Sequence, residues 1–277
     1  GRRSGAHLGT QTAALYVGGL KVTNPGGTDK VESYNGTAFT EVADIPAGKL
    51  NLAAAGTQPA GLAFGGEPET ADTQTWNGSG WTEVNNLNKA RHNHMGDGTQ
   101  TAALCFGGEG TPHATLAQTE SWDGTSWTEV NDLASARMGA ASGTVGTSTS
   151  SLASGGETTA SPDTQALTEE WTFSGLDPSS TPAADYSNAI TGDFYYNSTT
   201  GQFKTVNTGG APIGTWSSGG ALNTARYELA GFGTQTTAII AGGDTNPPAS
   251  GRISALVESY NGSAYTEIAD INTARQA

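Results

Sequence analysis

The chain has 277 residues, among them 40 glycines, 14% charged side chains and a formal charge of −14 at pH 7 from 26 acidic against 12 basic residues. That composition argues against helices, which need Leu, Glu and Lys and few glycines, and the charge repels phosphate backbones, so no nucleic-acid partner is expected. No apolar run approaches the roughly 20 residues that span a bilayer, so no membrane insertion is expected either, and the single cysteine, Cys105, excludes an intrachain disulfide.

The opening GRRSGAHLGT has no signal-peptide core and begins with Gly rather than Met, as in a processed product or a fragment. The first strand signal is the apolar run Ala13 to Val17, which ends in Gly18-Gly19 and leads to VESYNGTAFTEV from Val31. The same order then returns. Gly65-Gly66, Gly107-Gly108, Gly155-Gly156 and Gly242-Gly243 close later apolar runs, and TQTWNGSGWTEV, TESWDGTSWTEV and VESYNGSAYTEI follow three of them. Self-similarity of this period marks a repeat architecture.

Each unit reads as four short strands, A to D. Strand A is the small-residue stretch after a basic residue, such as Tyr227 to Phe232, and B is the apolar run, such as Thr237 to Ala241. A glycine pair lets a large ring approach the backbone, and the ring expected there is the unit's second aromatic: Phe39, Trp81, Trp127 or Tyr265. Strand C carries the first aromatic (Tyr34, Trp76, Trp122, Tyr260), directly followed by Asn-Gly or Asp-Gly. That dipeptide predicts a hairpin from C to D through a two-residue type I′ turn. In D, Trp127 and Val130 are three apart and face opposite sides, so the sheet must be covered on both faces. Four-stranded antiparallel sheets, each covered by its neighbours, predict an all-β, β-propeller fold.

The fourth unit keeps its glycine pair and Glu169-Glu170-Trp171 but lacks the Asn-Gly turn. Trp216, followed by Leu222 to Arg226, restores the end of a D strand. The simplest parsing is a single domain over 1–277 with five blades and an insertion at 176–213 between C and D of the fourth. The alternating DFYYNSTTGQFKTVN around Thr200-Gly201 offers the alternative of a sixth, divergent blade. Residue 1 precedes an A strand and NTARQA follows a D strand, so a ring closed by packing alone is expected, a cut from a longer array being the alternative.

The apolar run ending in Gly-Gly, the later Tyr or Trp, the final aromatic and the basic residue opening the next unit resemble the kelch repeat. This resemblance covers 1–174 and 214–277, and it implies that strand A lines the central channel and D lies outermost.

Candidate chemistry is sparse. Cys105 lies in the apolar run AALCF and reads as a buried core thiol. His92 and His94, two apart on a predicted A strand, would share a face and are the weak candidates for a metal site, polar lining of the channel being the alternative. SWDGTSW comes near the Asp-box of sialidases but has Gly124 directly after Asp123, so a hairpin turn explains it. Galactose oxidase shares the kelch propeller but needs a copper site with a Cys cross-link, and Cys105 before a glycine pair does not fit that pattern. Two carboxylate series recur, Glu41, Glu83, Glu129 and Glu267 in the D strands and Glu67, Glu109, Glu157 and Asp244 after the glycine pairs. Their expected role is pairing with Lys49, Arg91, Arg137 and Arg226, a calcium or sugar site built from such a ring being the alternative. No catalytic residue and no cofactor is expected.

The Gly-Thr-Gln-Thr-Ala-Ala-Leu units, the Asn-Gly-Thr/Ser-x-aromatic-Thr-Glu-Val turns and the GDFYYNSTTGQFKTVN module are similar to virion structural proteins of marine bacteriophages, especially fibre and appendage proteins. This implies a non-enzymatic, extracellular virion component for host attachment, whose partners are other virion proteins or a host-surface glycan or receptor, with a homo-oligomer as the usual fibre state. The alternatives are a kelch-type protein-interaction propeller of a cell and a carbohydrate-binding surface adhesin. Divergent loops are where a ligand would sit: Asn24 to Asp29, His92 to Met95, Thr111 to Thr115 with His113, and the insertion around Phe194, Tyr195, Tyr196 and Phe203.

Overall fold

The computed structural model describes the chain except residues 22–25, 144–146, 159–163, 177–193, 198–201, 206–211, 246–252 and 277, and except the side chains of 174–176, 194–197, 202–205 and 212–213. It is all-β: five four-stranded antiparallel sheets are arranged as the blades of a β-propeller. Blade 1 holds β1 (Ala6–Thr10), β2 (Ala13–Val17), β3 (Val31–Tyr34) and β4 (Phe39–Glu41); blade 2 holds β5 (Ala53–Thr57), β6 (Ala60–Phe64), β7 (Thr73–Trp76) and β8 (Trp81–Val84). Blade 3 holds β9 (Met95–Thr99), β10 (Ala102–Phe106), β13 (Thr119–Trp122) and β14 (Trp127–Val130), with a small hairpin of β11 (Glu109–Gly110) and β12 (Ala114–Thr115) between its second and third strands. Blade 4 holds β15 (Ala141–Ser142), β16 (Ser150–Ser154), β17 (Thr168–Leu176) and β20 (Pro212–Ser218); blade 5 holds β21 (Ala230–Thr234), β22 (Thr237–Ala241), β23 (Val257–Tyr260) and β24 (Tyr265–Ile268).

Between the last two strands of blade 4, β18 (Phe194–Asn197) pairs with β19 (Gln202–Thr205) as a separate two-stranded sheet. The insertion therefore adds a hairpin and not a sixth blade; its Thr200-Gly201 turn lies outside the described residues. Tyr227 precedes β21 and makes only an isolated bridge with Asp244, so this A strand starts three residues later than expected.

In blades 1, 2, 3 and 5 the C-to-D turns are four-residue loops. Tyr34 pairs directly with Phe39, and the Asn35 side chain accepts hydrogen bonds from the backbone N–H groups of Thr37 and Ala38 at 3.0 and 2.9 Å. Only Gly36 of the dipeptide has a positive φ, +90°, so the two-residue type I′ turn is replaced by a loop that the asparagine carbonyl closes. Asn77, Asp123 and Asn261 accept the same pair of bonds.

The glycine pairs do not hold the second aromatic. Both glycines are left-handed and turn the chain out of strand B, and the second donates its N–H to the carbonyl of the basic residue that opens the next unit, as Gly66 to Arg91 at 2.9 Å and Gly108 to Arg137 at 2.8 Å. The D aromatic packs instead on the residue before the pair in the preceding blade: Trp127 on Phe64 (centroids 4.9 Å apart) and Trp216 on Phe106 (4.8 Å). Its polar tip bonds that same blade, the Trp127 indole N–H donating to Thr73 at 3.0 Å and the Trp216 indole to Thr119 at 3.1 Å.

Four apolar clusters fill the four interfaces between successive blades, with Leu15 and Trp76 in the first, Phe64 and Trp122 in the second, Phe106 and Trp171 in the third, and Ile240 and Tyr260 in the fourth. No cluster of described residues joins blade 5 to blade 1, so among the described residues the expected closure by packing is not seen. At that seam Phe39, Phe232 and Ile268 stand 60%, 52% and 42% exposed.

Candidate functional site

One end of the channel is built from main chain. The residues two positions after each basic residue, Ser4, Asn51, Asn93, Gly139 and Glu228, all have left-handed φ, between 50° and 60°. Four of these N–H groups reach back to the carbonyl of the preceding blade's counterpart: Asn51 to Ser4 at 2.7 Å, Asn93 to Asn51 at 3.0 Å, Gly139 to Asn93 at 3.0 Å and Glu228 to Gly139 at 2.8 Å. Left-handed backbone costs a Ser or Glu of order 1 kcal/mol, which these inter-blade bonds and the adjoining core offset. The thread of four bonds surrounds a cavity of about 160 Å³ lined by the starts of all five A strands, as the kelch resemblance implied for strand A.

The rim is polar, with Asn51, Asn93, His7, His94 and Glu228 on it, while Ala6, Leu52 and Ala53 form apolar walls. Burial raises the Glu228 carboxyl above its ordinary range, against the opposing charge of Arg3. His94 is buried beside Phe64 and donates Nε2–H to the Phe64 carbonyl at 3.1 Å; burial and the Arg91 charge push its pKa down to about 3. It is therefore neutral at pH 7. Chemically, the rim can hydrogen-bond a small polar group.

His92 and His94 are not brought to one site. The left-handed Asn93 between them breaks strand alternation, so His94 turns to Phe64 while His92 Nε2 lies 3.4 Å from Glu109. A different pair converges: His113 Nδ1 is 2.9 Å from the same Glu109, so two imidazoles flank one carboxylate on the β11–β12 hairpin. That hairpin is fastened to blade 2 by Glu69, which accepts from the Thr111 hydroxyl at 2.6 Å and N–H at 2.9 Å; the hydroxyl bond foremost holds the Glu69 carboxyl below its usual range. Among the described residues no group of three or more His, Cys, Asp or Glu side chains has metal-binding geometry. Phe194 and Tyr196 pair with Thr205 and Phe203 in the inserted hairpin, and their side chains lie outside the described residues, as does part of the Asn24–Asp29 loop. Cys105 is buried, and burial pushes its thiol up to about 12.

The basic residues find other carboxylates than the two expected series. Arg91 Nη2 meets Glu120 of strand C at 2.7 Å and donates Nη1–H to the carbonyls of Gly107 and Gln118 at 3.1 and 2.8 Å. Arg226 does the same with Glu258, Gly242 and Leu256, Arg137 with Glu169, Gly155 and Leu167, and Arg2 with Glu32, Gly18 and Lys30. In blade 2 the C-strand position is Gln74, the basic residue is Lys49, and the pair is re-made with Asp72 at 3.0 Å. The glutamate also takes the N–H groups of the turn just before the arginine: Glu120 from Asn88 and Lys89, Glu258 from Asn223. A second latch is the Gln of three Gly-Thr-Gln turns, which clasps strand C of the preceding blade, Gln58 at the Tyr34 carbonyl (2.8 Å), Gln100 at the Trp76 carbonyl (2.6 Å) and Gln235 at the Glu170 and Thr172 side chains. Sequence reasoning missed the C-strand glutamates, although Glu stands two residues before the first aromatic in four of the five units.

No protein-family model matches the chain, and no curated protein does.

Proposed function

We propose that the chain is a non-enzymatic attachment or appendage propeller of a bacteriophage particle, displaying its loops to a host-surface glycan or to a neighbouring virion protein. The observation that carries the reading is that most of the recurrent polar residues are spent inside the scaffold: Arg2, Arg91, Arg137 and Arg226 hold the C-strand glutamates, and Gln58 and Gln100 clasp a neighbouring blade. A disc stiffened in this way holds variable loops in fixed positions, which is what recognition loops need. The kelch-like repeat and the fibre-like phrases of the sequence supply the rest of the argument, and the low lysine content and Thr, Ser and Asn-rich loops suit hydrogen bonding to sugars.

Electron cryomicroscopy of the native assembly tests the proposal. Symmetric density for this propeller on a tail or capsid is the expected result. Density on a cellular filament, or a free monomer, would overturn it in favour of a cellular interaction propeller.

A further inference from the structure

We infer that the seam between blades 5 and 1 is a docking slot for one further blade of this same repeat, entered from Arg275 as blade 5 is entered from Arg226. Both walls present inter-blade surfaces with nothing against them among the described residues. On blade 5, Ala230, Phe232, Ile239 and Ile268 occupy the positions of Ala53, Ala55, Leu62 and Val84, which in blade 2 pack into the interface with blade 3. Here Phe232 is 52% exposed and Ile268 is 42% exposed. On blade 1, Phe39 stands where Trp81 and Trp127 plug into a preceding blade.

The polar latches identify the occupant. Asn272-Thr273-Ala274-Arg275 repeats Asn223-Thr224-Ala225-Arg226 residue for residue. It has the same geometry: Arg275 Nε donates to the Thr273 carbonyl at 3.3 Å as Arg226 does to Thr224 at 3.4 Å, and the Arg275 carbonyl accepts from Gly243 as the Arg226 carbonyl does from Gly156. Arg226 is fully buried on Glu258, whereas Arg275 is exposed and has no carboxylate among the described residues. What Arg275 and Asn272 require is a strand-C glutamate and two main-chain carbonyls.

Blade 1 does not supply them, because Arg2 already holds Glu32 and the carbonyls of Gly18 and Lys30. Blade 1 instead presents the complementary half. Glu32 is 41% exposed and has, among the described residues, none of the turn N–H donors that Glu120 and Glu258 have. Gln11, the counterpart of Gln58 and Gln100, is exposed with no partner among the described residues. A blade in the slot would give Arg275 its glutamate, Glu32 its donors and Gln11 its carbonyl. The left-handed thread also lacks one link, since Ser4 N–H does not reach Glu228. The starts of β1 and β21 nonetheless line one cavity, so both walls of the slot meet the same channel.

The test uses Phe232→Cys, whose new thiol is distinguished from the buried, unreactive Cys105, in the chain as it stands and in a chain with a copy of residues 92–137 joined after Arg275. The expected result is a monomer in both. Maleimide labelling at position 232 is fast in the first and at least about tenfold slower in the second, and Tm is about 5 °C higher in the second. In the unextended chain, Arg275→Ala shifts Tm by less than about 1 °C while Arg226→Ala lowers it by about 10 °C; this comparison decides the matter even if the extended chain fails to fold. Four results would overturn the inference: a dimer of the unextended chain with position 232 shielded, which makes a second copy the occupant; a monomer already shielded there, which closes blade 5 on blade 1; equal labelling with and without the added blade; or an Arg275→Ala loss as large as that of Arg226→Ala.

Discussion

Arg91 Nη2 lies 2.7 Å from Glu120 Oε1 with both side chains shut off from solvent, the arginine opening the third unit and the glutamate sitting in strand C of that unit. Removing one partner of such a buried pair strands a charge and costs about 3–5 kcal/mol. Arg91→Met and Glu120→Ala are each expected to lose that much, and the double variant less than their sum. Urea unfolding in a double-mutant cycle measures the coupling; additive losses would contradict it.

His94 gives the fold a pH dependence. Its pKa of about 3 in the folded chain is below the unfolded value of 6.5, so between those values the unfolded state binds the extra proton and stability falls as pH drops. His94→Gln is expected to flatten the wild-type decline in Tm between pH 6.5 and pH 4. An unchanged slope would mean that other groups govern it.

Cys105, with its thiol pushed up to about 12 by burial, is expected to be silent to a thiol reagent at pH 8 and to react fully once the chain is unfolded in guanidinium. Rapid reaction of the native protein would show that the blade 2–blade 3 interface opens.

Two left-handed glycines separate backbone strain from steric clash. At Gly78 (φ +91°) a Cβ would meet nothing nearer than 3.5 Å, whereas at Gly107 (φ +65°) it would stand 2.7 Å from the Arg137 carbonyl. Gly78→Ala is expected to cost about 1 kcal/mol and Gly107→Ala more than about 3 kcal/mol, since the latter also breaks the passage into the next blade. Equal losses in chemical denaturation would remove the clash argument.

The blades were legible because their signals are local: an apolar run, two glycines, an aromatic and an Asn-Gly recur in one order, and strand B of the first and last units matches β2 and β22 end to end. The contacts between blades were less legible. The recurrent carboxylates of the D strands and of the residues after the glycine pairs point away from the true partner of Arg91, Glu120, which lies 29 residues from it. The sign was present in the chain itself, where the one unit with Gln74 instead of Glu is also the one entered by Lys49 instead of Arg. The rim left no sign, because Ser4, Asn51, Asn93, Gly139 and Glu228 have a backbone conformation in common and little side-chain chemistry. For the same reason the sequence puts His92 and His94 on one face, where the structure parts them, and gives no sign of the His92–Glu109–His113 grouping.

That rim separates what holds the disc together from what the disc offers to its surroundings. Its links run through peptide groups alone, so the side chain at each of the five positions is free to vary among residues that accept a left-handed backbone without loosening the bond beneath it. A serine, two asparagines, a glycine and a glutamate already occupy the five positions. The channel mouth is thus a small interchangeable set of groups on a constant frame, where charge and hydrogen-bonding character can be rewritten one blade at a time.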